Sequence, residues 1–420
     1  MLHRALPRPA RMPAPKLYQG VLLQLQYWLA PSASLVQNNI RKRRYGTRKG
    51  RFSMRPMSIV EVIPSLAMGG AEHLVVSLSE ELLHSGSMVH ILALGFPDGT
   101  ALEQQTERDH LQVTWLGKNL GPSLQTVCRA FTVVASMRPD VVHTHLGALK
   151  YVLPGCWGAH VGVRVHTVHT LADRELTGMD LRLQQWAYLR AGVVPVAVDR
   201  AVLLSMHRVY GDACPVRLIE NGVAVSRERM DAPHRIDHIA PKFVCVARFS
   251  EPKRQDAIVR AFQVLVRTYP GAELHFVGDG PGLEATRLLA QQLNIDRRIV
   301  FHGWLDDPHD TVSACDIFVL ASEYEGFSLS AVEAMASGLP VILGLGQAES
   351  LSLLSIARIV SLDDQAIAQA MLDVATDDDL AADLRVRGFA FARAHSIEET
   401  GRSYITLFQQ ILEREGHEPR

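Results

Sequence analysis

From Ser58 onward the chain alternates short, β-branched apolar runs with amphipathic stretches, breaks that alternation once, and then starts it again. Few architectures accommodate such a pattern. A strand covered by helices on both faces is apolar along its whole length and reaches its parallel neighbour through a helical crossover. The first series predicts strands at Ile59–Ile63, Val89–Leu94, Val113–Leu116, Val141–His145, Val163–Val168, Val193–Val198 and Arg217–Ile219. Between the first two, Glu72–His84 places Leu74, Val75, Leu78, Leu82 and Leu83 on one side of a helix. The stretch Ala224–Pro241 has charges, Pro233, Pro241 and no apolar period, so it reads as a linker. A second series follows, with strands at Phe243–Ala247, Glu273–Val277, Ile299–His302, Ile317–Leu320, Val341–Leu343 and Arg358–Val360 and helices at Asp256–Arg267, Leu283–Leu293 and Ala331–Ser337. From Ile367 to Leu412 the pattern is mostly helical. The fold class is therefore α/β, with two parallel sheets. Open parallel sheets bind ligands beyond the C-terminal ends of their strands, so two of them in one chain imply a shared cleft.

Charge narrows the function. Residues 1–56 hold 12 Lys or Arg and no acid, leaving 31 basic against 44 acidic side chains in the remainder, a net of -13. That balance argues against nucleic acid as a partner, because nothing in it would displace counterions from phosphates. The basic leader, with prolines at 7, 9, 13 and 15 and the block Arg41–Arg44, fits three readings. It is a targeting segment, a disordered tail touching acidic lipids, or a misassigned start upstream of Met54 or Met57. Five scattered cysteines (Cys128, Cys156, Cys214, Cys245, Cys315) without a Cys-x-x-Cys pair suggest inert thiols in a reducing compartment. The longest apolar run near the start, Val21–Ala30, is broken by Gln24 and Gln26 and falls short of the roughly 20 residues a span requires, so no transmembrane helix is expected.

The densest chemistry lies in Ser322-Glu-Tyr-Glu-Gly-Phe-Ser-Leu-Ser-Ala-Val-Glu-Ala-Met-Ala-Ser-Gly-Leu-Pro-Val341. A strand runs out into a loop, and a helix begins near Ser330. The backbone N–H groups of Phe327, Ser328 and Leu329 would lie at its N-terminus, where unpaired donors and the helix dipole favour a phosphate. Ser330-Ala-Val-Glu333 also has the spacing of a capping box, in which Glu333 would serve only the helix. Glu325, eight positions before Glu333 in a Glu-Gly326-Phe turn, and the small residues Ala334, Ala336 and Gly338 point beyond capping.

On these residues the chain resembles the family 4 retaining glycosyltransferases, whose GT-B fold sets two facing Rossmann-like domains across a cleft. Glu325 and Glu333 match the family's Glu-x7-Glu motif. The resemblance implies that Glu325 meets the donor sugar's hydroxyls and Glu333 the nucleotide ribose. It covers roughly Ser58 to Leu412, and further motifs fall in the family's order. Arg248-Phe-Ser-Glu-Pro-Lys253, after an expected strand, is similar to the Arg-x4-Lys clamp on the donor phosphates, and fixed cations there would stabilise the charge that develops on the leaving group. Gly278-Asp279-Gly280-Pro-Gly282 lacks the spacing of a dinucleotide loop and resembles the family's Val-Gly-Asp-Gly-Pro element. His302-Gly303-Trp304 looks like the loop bordering the base. Met68-Gly69-Gly70-Ala-Glu72 matches the Gly-Gly-Ala-Glu turn, where absent side chains admit a ligand to the backbone. Pro139–His145 and Val165–His169 resemble two strands that end at the cleft, which puts His145 and His169 beside acceptor and donor.

The implied domains are an extension 1–56, an acceptor-side domain 57–225, a linker 226–241, a nucleotide-sugar domain 242–395 and a last helix 396–420 packing back toward the first domain. Glu220-Asn-Gly-Val223 matches the turn that closes the first domain. Two positions depart from the family: Asp199 stands where Ser is common, and Gly344–Ser350 only loosely resembles the usual Gly-Gly-x-x-Glu loop. The one Asp-rich triplet, Asp377-Asp-Asp379, falls between helices, where acids favour the next N-terminus; no metal ligands are assigned. The expected activity is retaining transfer from a nucleotide-sugar donor, itself the substrate, with no other cofactor. The expected acceptor is a glycan or lipid-linked sugar of a cell-surface polysaccharide, and the expected place is the cytoplasm, with peripheral contact at the inner face of the membrane. A nucleotide-sugar epimerase would need additional acid–base residues, and a binding subunit that has lost transfer would suit the divergent 344–350 loop.

Overall fold

The computed structural model describes residues 56–67, 69–225, 236–305, 307–323, 327–345 and 356–415. Residues 1–55, Met68, most of the expected linker (226–235), Glu325, Gly326 and most of the 344–350 loop lie outside them.

The first sheet contains β1 (Ser58–Ile63), β2 (Met88–Ala93), β3 (Gln112–Trp115), β4 (Val141–His145), β5 (Val163–Val168), β6 (Val194–Ala197) and β7 (Arg217–Leu218). The second contains β8 (Lys242–Val246), β9 (Glu273–Val277), β10 (Ile299–Gly303), β11 (Ile317–Ser322), β12 (Val341–Leu345) and β13 (Arg358–Val360). Every strand that the apolar runs predict is present, its ends shifted by at most two residues. All pairings are parallel, in the orders β3-β2-β1-β4-β5-β6-β7 and β10-β9-β8-β11-β12-β13. Both are the doubly wound order of a Rossmann domain, and each reverses direction beside its first strand, between β1 and β4 and between β8 and β11. At such a switch point neighbouring crossovers leave on opposite faces, and a crevice opens beyond the strand ends.

Burial follows from the sequence pattern. Phe243, Val244 and Cys245 of β8 and Ile317–Ala321 of β11 are buried on both faces, and helix Gln255–Thr268 turns Ile258, Ala261, Phe262 and Leu265 onto them. The chain then crosses back: helix Ile397–Glu415 places Ile397, Tyr404, Leu407, Phe408 and Leu412 in the same cluster as Met57, Ile59, Leu74, Leu78, Val141 and Val163. Where the two crossings meet, Val223 and Ser396 form a parallel bridge, Ile397 N–H donates to Val223 O at 3.0 Å, and Thr400 Oγ1 donates to Glu220 O at 3.0 Å. A Cβ at Gly222 would lie 2.5 Å from Ser396 O, so this crossing admits only glycine. Among the described residues no helix is long and apolar enough to cross a membrane.

Candidate active site between the domains

On the second domain's side, three loops stack at the ends of β8, β9 and β11. Phe249, beside Arg248, is buried against Phe276 and Phe301 at ring-centroid distances of 5.5 and 6.3 Å. Its N–H donates to Asp279 O at 2.9 Å, and its carbonyl accepts from Gly282 N–H at 3.1 Å. The anchor leaves the Arg248 side chain exposed at the strand end, while Lys253 closes the short 3-10 turn Glu251–Lys253 that follows. Gly278 and Gly280 have φ of 133° and 149°, and Cβ atoms there would lie 2.1 Å from Ala247 O and 2.3 Å from Phe249 O. These glycines, expected at the ligand, thus have a packing role of their own: they hold the β9 loop under the Arg248 loop. Glu323 N–H donates to Pro252 O at 2.8 Å and its carboxylate lies 3.8 Å from Arg254, which joins the Glu-x7-Glu loop to the Arg248–Lys253 loop across the switch point.

The helix after β11 spans Leu329–Ala336, with Ser328 as its N-cap. The capping-box reading of Glu333 is therefore corrected, because Ser330 already lies inside the helix and cannot cap it. Ser328 Oγ is buried and has no hydrogen-bond partner among the described residues. Phe327 buries its ring against Phe391 and His395, so only its backbone faces the cleft end of the helix. Glu333 keeps an exposed side chain although protein crowds it, as happens in a cleft. The crowding raises its pKa, and Asp307, beyond β10, adds to the effect. His302 Nε2 pairs with His275 Nδ1 at 3.0 Å, and Gly303 carries φ 68° with its carbonyl accepting from Gly278 N–H at 2.8 Å.

The first domain meets this helix directly: a Cβ on Gly70 would lie 3.3 Å from Leu329 Cδ1. Helix Gly70–His84 begins there, with Gly69 as its N-cap and no side chain capping it. Two helix N-termini thus approach one another across the cleft.

Behind that edge lies a buried polar cluster. Glu61 of β1 and His143 and His145 of β4 are wholly buried. His143 Nδ1 lies 2.9 Å and His145 Nε2 2.8 Å from Glu61 Oε2. His145 Nδ1 lies 2.9 Å from His169 Nε2. His143 Nε2 is 2.7 Å from Thr167 Oγ1, itself 2.8 Å from the hydroxyl of Tyr404 in the returning helix. Burial alone would raise the Glu61 carboxyl, but the adjoining imidazoles hold it down at about 2. Burial lowers His145 to about 4, with His143 adding to the effect, and lowers His169 well below the ordinary imidazole value.

His145 has no exposed surface and lies behind half-buried His169, through which it reaches the cleft. Glu61 escaped motif reasoning; the signal was a lone carboxylate inside an apolar central strand, which must find a partner when buried. Glu61, His143 and His145 are also the set of His, Cys, Asp or Glu groups among the described residues whose ligand atoms converge within 4.8 Å, as a metal site would require. Each of those atoms already makes a short hydrogen bond in the set. Asp199 caps helix Arg200–Tyr210 by accepting from Ala201 N–H, a reason for Asp where Ser is common.

Two family models match adjoining parts of the chain, Glycosyltransferase Family 4 over residues 68–227 and Glycosyl transferases group 1 over residues 226–388. The chain belongs to glycosyltransferase family 4. Among curated relatives of this chain, the N-acetyl-alpha-D-glucosaminyl L-malate synthase of Bacillus anthracis is 28% identical over 220 residues, 48% of this chain and 56% of that one. An Escherichia coli UDP-Gal:alpha-D-GlcNAc-diphosphoundecaprenol alpha-1,3-galactosyltransferase is 25% identical over 255 residues, 52% of this chain and 64% of that one. The chain thus matches less than two thirds of either relative. The crystal structure of Anabaena HepE in complex with UDP and glucose superposes with a TM-score of 0.70 at 18% identity, covering 84% of this chain and 99% of that one, and establishes the GT-B fold.

Proposed function

We propose that this glycosyltransferase moves a sugar, with retention of anomeric configuration, from a nucleoside-diphosphate donor to a glycan or lipid-linked acceptor in cell-envelope glycan synthesis. The observation that carries the reading is the joining of the Arg248–Lys253 and Glu-x7-Glu loops at the β8/β11 switch point, facing the Gly69–Gly70 turn. Arg248, Lys253, the N–H groups of Phe327–Leu329 and the buried Ser328 hydroxyl, which has no partner among the described residues, form an anion site that strengthens as the diphosphate departs. Glu333 receives the ribose hydroxyls, His302–Gly303 border the base, and Glu325 orients the donor sugar. The acceptor hydroxyl attacks from the face the diphosphate leaves, near His169, and the clamp cations perform the charge neutralisation that transferases of the other common fold assign to a metal. Binding of UDP by the HepE structure and the lipid-linked acceptor in the E. coli relative's name support the donor and acceptor classes.

The test is a panel of UDP-, GDP- and ADP-sugars scored by thermal shift and then by transfer, with the product anomer read by NMR. A ligand at a hundredfold its dissociation constant stabilises by about 2.7 kcal/mol. Inversion at the anomeric carbon, or no stabilisation by any sugar nucleotide, contradicts the reading.

A further inference from the structure

The polar cluster of the first domain reaches the cleft at one point. Glu61, His143, His145, Thr167 and Tyr404 have essentially no exposure, and only His169, just past the end of β5, emerges. The cluster draws on β1, β4, β5 and the returning helix, and Thr167 and Tyr404 are 237 residues apart. A buried carboxylate is acceptor-only when ionised, so both imidazoles facing it donate: His143 through Nδ1 and His145 through Nε2. A neutral imidazole that donates through one nitrogen accepts through the other. His145 Nδ1 therefore accepts, and His169 must donate to it through Nε2. That leaves Nδ1 of His169, which has no partner among the described residues, as a lone pair at the cleft. On the far side, Tyr404 O–H to Thr167, Thr167 O–H to His143 Nε2 and His143 Nδ1–H to Glu61 run in a matching direction. Both arms of the chain donate toward one carboxylate.

We propose that Glu61, acting through His145, is a positioning residue for sugar transfer: it fixes the tautomer of His169 so that Nδ1 is offered to the cleft as a hydrogen-bond acceptor for a substrate hydroxyl. This rests on the transferase reading above. No bond to carbon forms or breaks at any of these groups. A glutamine at position 61 keeps the shape but can donate as well as accept, so the direction of the chain is no longer set. The His169 tautomer that carries its proton on Nδ1 would then be populated as well, and it presents a donor where the substrate needs an acceptor.

The experiment pairs a spectrum with kinetics. In long-range ¹⁵N–¹H spectra of histidine-labelled wild type, with the His169 signals assigned by their loss in His169→Gln, His169 carries its proton on Nε2, and adding UDP leaves that unchanged or strengthens it. Glu61→Gln mixes the tautomers, lowers kcat by about 10–100-fold, the usual cost of losing an orienting partner, and leaves the UDP dissociation constant within twofold. A His169 proton on Nδ1 in wild type, an unchanged kcat in a folded Glu61→Gln, or stoichiometric metal bound at Glu61, His143 and His145 overturns the proposal. Should Glu61→Gln fail to fold, the wild-type spectrum decides alone. A wild type that transfers from no sugar nucleotide overturns the functional reading instead, and does so independently of the tautomer.

Discussion

The two halves of the cleft are built on the same sheet order and oppose each other in chemistry. The second domain's edge is made of loops that carry charge at the strand ends: exposed Arg248 and half-buried Lys253 after β8, exposed Asp279 between Gly278 and Gly280 after β9, and exposed Glu333 in the helix that follows β11. The first domain's edge puts glycine against the partner domain at Gly70 and withdraws its charge behind the surface, into a carboxylate and imidazoles without exposure. The contrast teaches that one side is built to hold an anion and the other to set the direction of hydrogen bonds. Substitutions on the two sides should therefore fail differently.

The largest effect is expected at Glu325. Glu325→Ala should lower turnover by about 10²-fold or more while the melting temperature stays close to wild type; equal losses of activity and stability would make it a structural residue. Next come Arg248→Ala and Lys253→Ala, each weakening nucleoside diphosphate binding by roughly 1.5–3 kcal/mol, with a double variant that is less than additive if one diphosphate bridges them. Calorimetric titration reads both quantities. Additive losses would mean two separate anion contacts.

Acid should strike the first domain harder than the second. The folded pKa of His145 is about 4 against an ordinary 6.5, so between those values the unfolded chain takes up a proton that the folded one resists. Stability is therefore lost as pH falls through that window, by about 2 kcal/mol at pH 5 for this one group. His169 is shifted in the same direction and adds to the loss. Glu61, held at about 2, extends it from pH 4.5 downward. Chemical melts at pH 7 and pH 5 should show the drop, and His145→Gln should shrink it; an unchanged drop would place the acid sensitivity elsewhere. The smallest effect is expected from Tyr404→Phe, which deletes one buried hydrogen bond at about 1 kcal/mol and leaves ligand affinity alone.

The same contrast explains what could be read in advance. Strand positions came from apolar runs that only a doubly covered parallel sheet requires, and the second domain's site is legible because each loop is one uninterrupted segment. Glu61, His143 and Tyr404 were not legible as a unit. They lie on β1, β4 and the last helix, 82 residues apart in one case and more than 200 in another, and no spacing rule connects them. Where the local pattern and the structure differ, packing is the reason. His145 has the place of a ligand contact in its motif but sits one layer behind His169, and the helix of the Glu-x7-Glu motif starts at Leu329, which removes Ser330 as a cap.

The division of labour across the cleft is tested most directly by titrating wild type, Arg248→Ala and Glu61→Gln with the nucleoside diphosphate that stabilises the protein best, and with its parent nucleoside. Arg248→Ala should lose at least about tenfold in affinity for the diphosphate and hardly any for the nucleoside, since only the former carries charge to the clamp. Glu61→Gln should bind both as wild type does. Equal losses for diphosphate and nucleoside in Arg248→Ala, or a loss of diphosphate affinity in Glu61→Gln as large as that of Arg248→Ala, would contradict the account.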